Sequence, residues 1–135
     1  MNEVKNACII DDDAIFVTIT TKIIRQHDIF ENVLIYNDGQ QALKGLTDII
    51  QSGDLMPEII LLDLNMPEIN GWEFLDEFSE TLYRHKIPVF IVSSSIDQFD
   101  IEKSRSYKCV LDYIVKPLSR DDLFKIKGEY NENRY

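Results

Sequence analysis

Residues Pro57 to Gly71 read PEIILLDLNMPEING, and the rest of the chain is organised around this stretch. Its apolar run, Ile59 to Leu62, carries no polar side chain and stops at Asp63. Pro57 precedes the run, and the Met66-Pro67 and Asn70-Gly71 breakers follow it, so it reads as a buried strand with a loop at its carboxyl end. In open parallel sheets ligands sit at that end of the strands. An aspartate there can simply cap the next loop, so the remaining segments must decide whether Asp63 has a chemical role.

Upstream, Ala7 to Ile10 is a short apolar run ending in Asp11-Asp12-Asp13, and Phe16, Ile19, Ile23 and Ile24 then recur at helical spacing. Val33 to Tyr36 is a second strand, ended by Asn37-Asp38-Gly39; Ala42, Leu43, Leu46, Ile49 and Ile50 stripe a second helix that Ser52-Gly53 closes. Downstream, Phe74, Leu75, Phe78 and Leu82 mark a helix opening near Gly71, and Val89 to Val92 is a strand stopped by Ser93-Ser94-Ser95. The polar stretch Asp97 to Tyr107 reads as a helix with a thin apolar stripe. Leu111 to Val115 is a fifth strand, closed by Lys116-Pro117. Ser119 opens a last helix, with Asp122 replacing the usual Glu of a capping box and Leu123, Phe124 and Ile126 as its apolar residues. The tail from Tyr130 is expected to fray.

Five short strands alternating with five helices imply an α/β fold, a parallel sheet covered on both faces. Right-handed crossovers put every carboxyl end on one edge. That edge gathers Asp11, Asp12, Asp13, Asp38, Asp63, the serines from Ser93, and Lys116. The 135 residues fit one domain, with a core over about residues 4–128 and a tail at 129–135.

Composition narrows the partners. A net charge of −10, from 24 acidic against 14 basic residues, repels phosphate backbones and anionic membranes, so no nucleic-acid or membrane contact is expected. No apolar run approaches the ~20 residues needed to span a bilayer, and Met1-Asn2-Glu3 opens no signal peptide; a cytoplasmic location is expected. Cys8 and Cys109 lack metal-type spacing, and Cys8 reads as a core residue.

Carboxylates from different strands meeting at one edge are costly: two like charges ~4 Å apart repel by about 4 kcal/mol at an effective dielectric of 20. Lys116 supplies one positive charge, which does not suffice. Oxygen-only ligands suit Mg²⁺ or Mn²⁺, bound by Asp12 and Asp63 with Asp11 helping through water. A metal, an ammonium and a hydroxyl around a carboxylate oxygen then suit phosphoryl transfer to Asp63, because that reaction needs mainly positioning and charge neutralisation.

The patterns IIDDD, ILLDLNMP followed by NG, VFIVSSS and DYIVKP, in this order over roughly Val4 to Gly128, resemble the receiver domain of two-component response regulators. The resemblance implies a flavodoxin-like (βα)5 fold with strand order 2-1-3-4-5. It implies that Asp63 is the phosphoacceptor, charged by a phosphohistidine on a histidine kinase or histidine phosphotransfer protein. It further implies that Asp11 and Asp12 are the acidic pair, that the Asn65 backbone carbonyl completes the Mg²⁺ shell, that Ser93 is the switch hydroxyl, that Lys116 is the family's lysine, and that Tyr113 is the aromatic that moves with the hydroxyl. A cis Lys116-Pro117 bond is also implied. Ser94 stands where the family usually has alanine or glycine; Ser95 and Asn65 fall at variable positions flanking the phosphoryl group, so Ser94 and Ser95 are candidates for controlling access.

Other residues carry plainer readings. Asp13 reads as a helix N-cap, Asp38 as a turn former, His27 and His85 as surface or capping residues, and Trp72 as a packing residue. Ile15 and Val17 fall off the apolar stripe of the first helix, as scattered surface residues or as part of a face that docks the phosphodonor. The segment after Pro117 is too short for an output domain, so output is expected through a downstream target protein. The alternative is a small aspartate-nucleophile phosphohydrolase of the haloacid-dehalogenase type; its D-x-D-x-T/V signature is not met, since Ala14-Ile15 follow the aspartates. A degenerate receiver that binds partners without phosphorylation is the third reading, opposed by the complete residue set.

Overall fold

A computed structural model describes residues 5–53 and 55–132. Five strands, β1 (Asn6–Ile10), β2 (Asn32–Tyr36), β3 (Ile59–Leu62), β4 (Val89–Ser93) and β5 (Val110–Val115), alternate with five helices, α1 (Ala14–Gln26), α2 (Gly39–Ser52), α3 (Gly71–Arg84), α4 (Gln98–Ser104) and α5 (Arg120–Glu132). All strand pairs are parallel, in the order β2-β1-β3-β4-β5, as expected. The chain therefore reverses direction across the sheet between β1 and β3, and the crevice at their carboxyl ends is the topological switch point of the fold.

The central strands are apolar throughout because both faces of the sheet are covered. Alternate residues divide between two clusters. Cys8, Ile10, Ile60, Leu62, Val89 and Ile91 pack with Ala42 and Leu46 of α2 and with Phe74, Leu75, Phe78 and Leu82 of α3. Ala7, Ile9, Ile59, Leu61, Phe90 and Val92 pack with Phe16 and Ile24 of α1 and with Leu123 and Ile126 of α5. The period of two in the strands thus meets helical stripes on both sides.

Side chains cap the helices locally. Asp13 accepts from Ile15 N and Phe16 N, each at 3.1 Å, and Asp38 accepts from Gln41 N at 2.8 Å. Asn70 and Glu73 form a full capping box at α3. The Asp-for-Glu box at α5 is also formed, with Ser119 N donating to Asp122 at 2.9 Å and Asp122 N to the Ser119 hydroxyl at 3.0 Å. Gly53, at φ 76°, ends α2 in the left-handed region that glycine enters without a steric cost.

Five expectations change. Ile19 is 54% exposed, and Thr20 takes the buried place on the α1 stripe; Val17, expected off that stripe, packs against the core. Phe124 is 44% exposed because Leu123 and Ile126 alone face the sheet from that part of α5. Helix α4 spans only Gln98–Ser104: the hydroxyls of Ser104 and Ser106 capture the carbonyls of Ile101 and Lys103, and the backbone tightens into three-residue turns through Tyr107. Helix α5 continues to Glu132, with Tyr130 packed on the second cluster, so the chain does not fray at Tyr130. Met1–Val4 and residues 133–135 of the expected boundaries lie outside the described residues.

Candidate functional site

The site forms where β1, β3, β4 and β5 end. The Asp63 backbone N–H donates to Ile10 O at 2.9 Å, which ties the end of β3 to the end of β1 and brings the two aspartate-bearing turns together. Asp11, Asp12 and Asp63 each offer a carboxylate oxygen within 4.8 Å of the others. Asp11 and Asp63 are buried and Asp12 is exposed. Asp13 caps α1 and Asp38 caps α2, and neither is among the three clustered carboxylates.

Lys116 is brought in by the end of β5, where its N–H donates to Ser93 O at 2.9 Å, and the Lys116-Pro117 peptide is cis. Its ammonium lies 2.9 Å from Asp11 Oδ2 and 3.8 Å from Asp63 Oδ2. The carboxylate of Asp11 also accepts from Asp13 N at 2.9 Å, and that of Asp63 accepts the Asn65 backbone N–H. These donors do not neutralise the cluster. Burial, then the neighbouring charge of Asp11, push the Asp63 carboxyl up to about 6, against the opposing pull of Lys116 and Asn65 N–H. Burial likewise raises Asp11 above the usual aspartate range, with the Asp13 N–H and Lys116 working in the opposite direction. Three close carboxylates against one ammonium leave unbalanced negative charge, and their all-oxygen donor set fits a hard divalent cation.

Ser93 ends β4 fully buried, and its hydroxyl accepts from Ser95 N at 3.1 Å. Tyr113, half-buried on β5, donates its hydroxyl to Ser95 O at 2.9 Å. The Ser95 hydroxyl donates to Asp100 of α4 at 2.8 Å and accepts from Asp97 N at 3.2 Å. Ser95 is thus built into the start of α4, and Ser93, Ser95, Tyr113 and α4 form one hydrogen-bonded run leading away from the carboxylates. Ser94 is exposed and lines a groove beside Lys116, Pro117, Ile15 and Ile19. Asn65 is exposed on the loop after Asp63. Trp72 stacks on Tyr107 with ring centroids 6.0 Å apart, the packing role expected of it, and His27 and His85 are exposed residues at helix ends.

Two contacts at the site were not legible beforehand. Phe16, assigned to the core stripe, also lies under the Lys116 ammonium, 4.4 Å from ring centroid to Nζ. Gly71 lies against the β3–α3 loop so closely that a Cβ there would meet Asp63 O at 2.5 Å. A cavity of about 550 Å³ lined by Ala7, Val33, Leu34, Ile49, Leu55 and Pro57 opens at the amino end of the strands; none of the three carboxylates lines it.

Comparisons with known proteins agree with this geometry. The family model described as response regulator receiver domain matches residues 7–127. A probable methanogenesis regulatory protein, FilR2 of Methanothrix harundinacea, is 33% identical over 95 residues, 70% of this chain but 61% of its own length. Like several other relatives, it is thus covered over less than two thirds of its length. Response regulator Rcp1 of Synechocystis sp. is 28% identical over 130 residues, 93% of this chain and 85% of its own. The crystal structure of Rcp1 in its Mn²⁺-bound form superimposes with a TM-score of 0.71 at 26% identity, over 90% of this chain and 88% of that one. A two-component response regulator from Cytophaga hutchinsonii superimposes with a TM-score of 0.87 at 32% identity, over 97% of this chain and 99% of that one. With the switch-point carboxylates, the lysine at the end of β5 and the 2-1-3-4-5 sheet already in place, the chain belongs to the response regulator receiver domain family.

Proposed function

We propose that this receiver domain is a phosphoacceptor switch of a two-component phosphorelay, with Asp63 as the acceptor. A carboxylate oxygen of Asp63 attacks the phosphorus of a phosphohistidine on a histidine kinase or histidine phosphotransfer protein. The new O–P bond forms as the P–N bond breaks, and the imidazole nitrogen keeps the electron pair. The protein is a reactant in this step; its only catalysis is of its own phosphorylation and dephosphorylation.

Asp11, Asp12, Asp63 and the Asn65 backbone carbonyl would hold Mg²⁺ or Mn²⁺. A bound divalent cation supplies charge neutralisation for one phosphoryl oxygen. The Lys116 ammonium supports a second oxygen, and the Ser93 hydroxyl, on leaving Ser95 N–H, reaches the third. Ser94, Ser95 and Asn65 flank the approach of the donor and of hydrolytic water. The observation that carries the reading is the convergence of Asp11, Asp12, Asp63 and Lys116 at one strand edge.

Movement of Ser93 frees Ser95 N–H, and through Ser95 it reaches both the Tyr113 hydroxyl and the cap of α4. The exposed Ile96, Phe99 and Val115 lie on this side, so the target-binding surface is formed by α4, β5 and α5. Ile15 and Ile19, exposed at 72% and 54%, flank the groove beside Lys116 and suit the apolar face of a phosphodonor. No helix among the described residues is long and apolar enough to cross a membrane, and the proposed setting is the cytoplasm. The test is incubation with acetyl phosphate and Mg²⁺ followed by mass spectrometric location of the adduct. The modification should sit on Asp63 and vanish in Asp63→Ala; labelling that survives that substitution rejects the assignment.

A further inference from the structure

Lysine reaches its target on a flexible four-carbon stem, so something must hold its end in place. Three groups surround the Lys116 ammonium: Asp11 at 2.9 Å, Asp63 at 3.8 Å and the Phe16 ring at 4.4 Å from its centroid. Phe16 is only 8% exposed, and the lysine side chain 12%. Phe16 is fixed in the first turn of α1, where the helix cap Asp13 accepts from Phe16 N at 3.1 Å. An aromatic face attracts an ammonium most where water is thin, as it is here.

We propose that Phe16 is a positioning residue for phosphoryl transfer: its ring face holds the Lys116 ammonium toward Asp63. This rests on the proposed function of Asp63. The need for the ring follows from the two distances to carboxylates. Lys116 is held more closely by Asp11 than by its working partner, and Asp11 belongs to the set that would share its charge with a divalent cation. Once that charge is shared, the pull of Asp11 on the lysine weakens, whereas the quadrupole of the ring stays as it was. A leucine at this position would keep an apolar side chain in the core but leave the ammonium free to swing into the groove lined by Ser94 and Pro117.

The experiment is a double-substitution cycle on the full chain, using Phe16→Leu, Phe16→Tyr, Lys116→Ala and the pair Phe16→Leu with Lys116→Ala. Phosphorylation is driven by acetyl phosphate with Mg²⁺; the Asp63 oxygen bonds to phosphorus as the P–O bond breaks and acetate leaves with the electron pair. Phe16→Leu should slow the reaction about tenfold, Phe16→Tyr by less than about twofold, and Phe16→Leu should add nothing once Lys116 is alanine. Urea unfolding of the same four proteins in EDTA gives a readout independent of the reaction, and there too the Phe16→Leu loss should shrink in the Lys116→Ala background. Wild-type rates in Phe16→Leu, or a loss of equal size with and without Lys116, would overturn the inference alone. A wild-type chain that takes no phosphoryl group at Asp63 would overturn the proposed function and this inference together.

Discussion

The ammonium of Lys116 sits 2.9 Å from Asp11 but 3.8 Å from Asp63, so the lysine is primarily the counter-ion of Asp11. Removing it leaves two buried carboxylates with no cation. Lys116→Ala should therefore cost about 2–3 kcal/mol of stability without metal, somewhat less than breaking a fully buried pair because the site borders solvent. A divalent cation takes over the neutralisation, and binding to the native state alone adds stability. Urea unfolding with EDTA and then with millimolar MgCl2 measures this directly. An equal loss in both media would show that lysine and metal do not answer the same charge.

Charge crowding also predicts that Asp63, the proposed phosphoacceptor, is a liability to the fold. The Asp63 carboxyl stands at about 6 in the folded protein against 3.8 for an ordinary aspartate, raised by burial and then by Asp11. A raised acid binds more protons folded than unfolded, so its stabilising effect is complete below pH 3.8 and disappears as pH rises through about 6. Metal-free wild type should lose stability across that window, and Asp63→Asn should lose less. At pH 7 Asp63→Asn should be the more stable protein by about 1–2 kcal/mol, even as it should accept no phosphoryl group. Some slope should persist because Asp11 is shifted in the same direction. Thermal melts in EDTA from pH 4 to 7 provide the check; an asparagine variant weaker than wild type at neutral pH contradicts it.

Gly71 links the geometry of the site to the start of α3. A Cβ there would lie 2.5 Å from Asp63 O and 2.8 Å from Leu64 Cα, and both are backbone atoms that cannot rotate away. Gly71→Ala should thus cost about 1–3 kcal/mol as an overpacked contact and slow phosphorylation by shifting the Asp63 turn. Gly128, on α5, is the control. A Cβ at that position meets nothing within 4 Å, and alanine should be neutral or stabilising by up to about 1 kcal/mol. Urea midpoints of the two variants, compared side by side, would expose a mistaken reading if Gly71→Ala matched Gly128→Ala.

The strands were readable because continuous apolar runs such as Ile59 to Leu62 suit a sheet packed on both faces, whereas their order came from the resemblance of the motifs to the receiver family. The acidic cluster was readable because topology sends every strand end to one edge. Side-chain allegiance was not. Nothing in the spacing says that Lys116 prefers Asp11, that Ser95 spends its hydroxyl on Asp100, or that Phe16 serves Lys116 as well as the core. Ile19 and Phe124 misled because helical spacing tolerates two neighbouring stripes, and only the width of the sheet beneath decides which is covered. Helix α4 was overestimated because its serines compete for backbone carbonyls, a choice made by local geometry rather than by pattern.

A second acidic pair lies away from Asp63 and gives a separate pH test. Glu129 on α5 is hydrogen-bonded to Asp112 on β5, and it stands at about 7, against 4.5 for an ordinary glutamate. Burial is the main cause, followed by Asp112; Glu132 adds to the shift, while Lys125, 4.0 Å away, opposes it. The direction matches that of Asp63 but the window is higher: the stability this proton supplies is complete below pH 4.5 and is lost as pH rises through about 7. Glutamine keeps a donor toward Asp112 at every pH. Glu129→Gln should match wild type near pH 4.5 and exceed it by roughly 1 kcal/mol at pH 7.5. Because both proteins carry the same Asp63, the difference between their unfolding free energies isolates the β5–α5 seam. A difference that stays constant with pH, or that favours wild type on the alkaline side, would show that the two carboxyl groups do not share a proton.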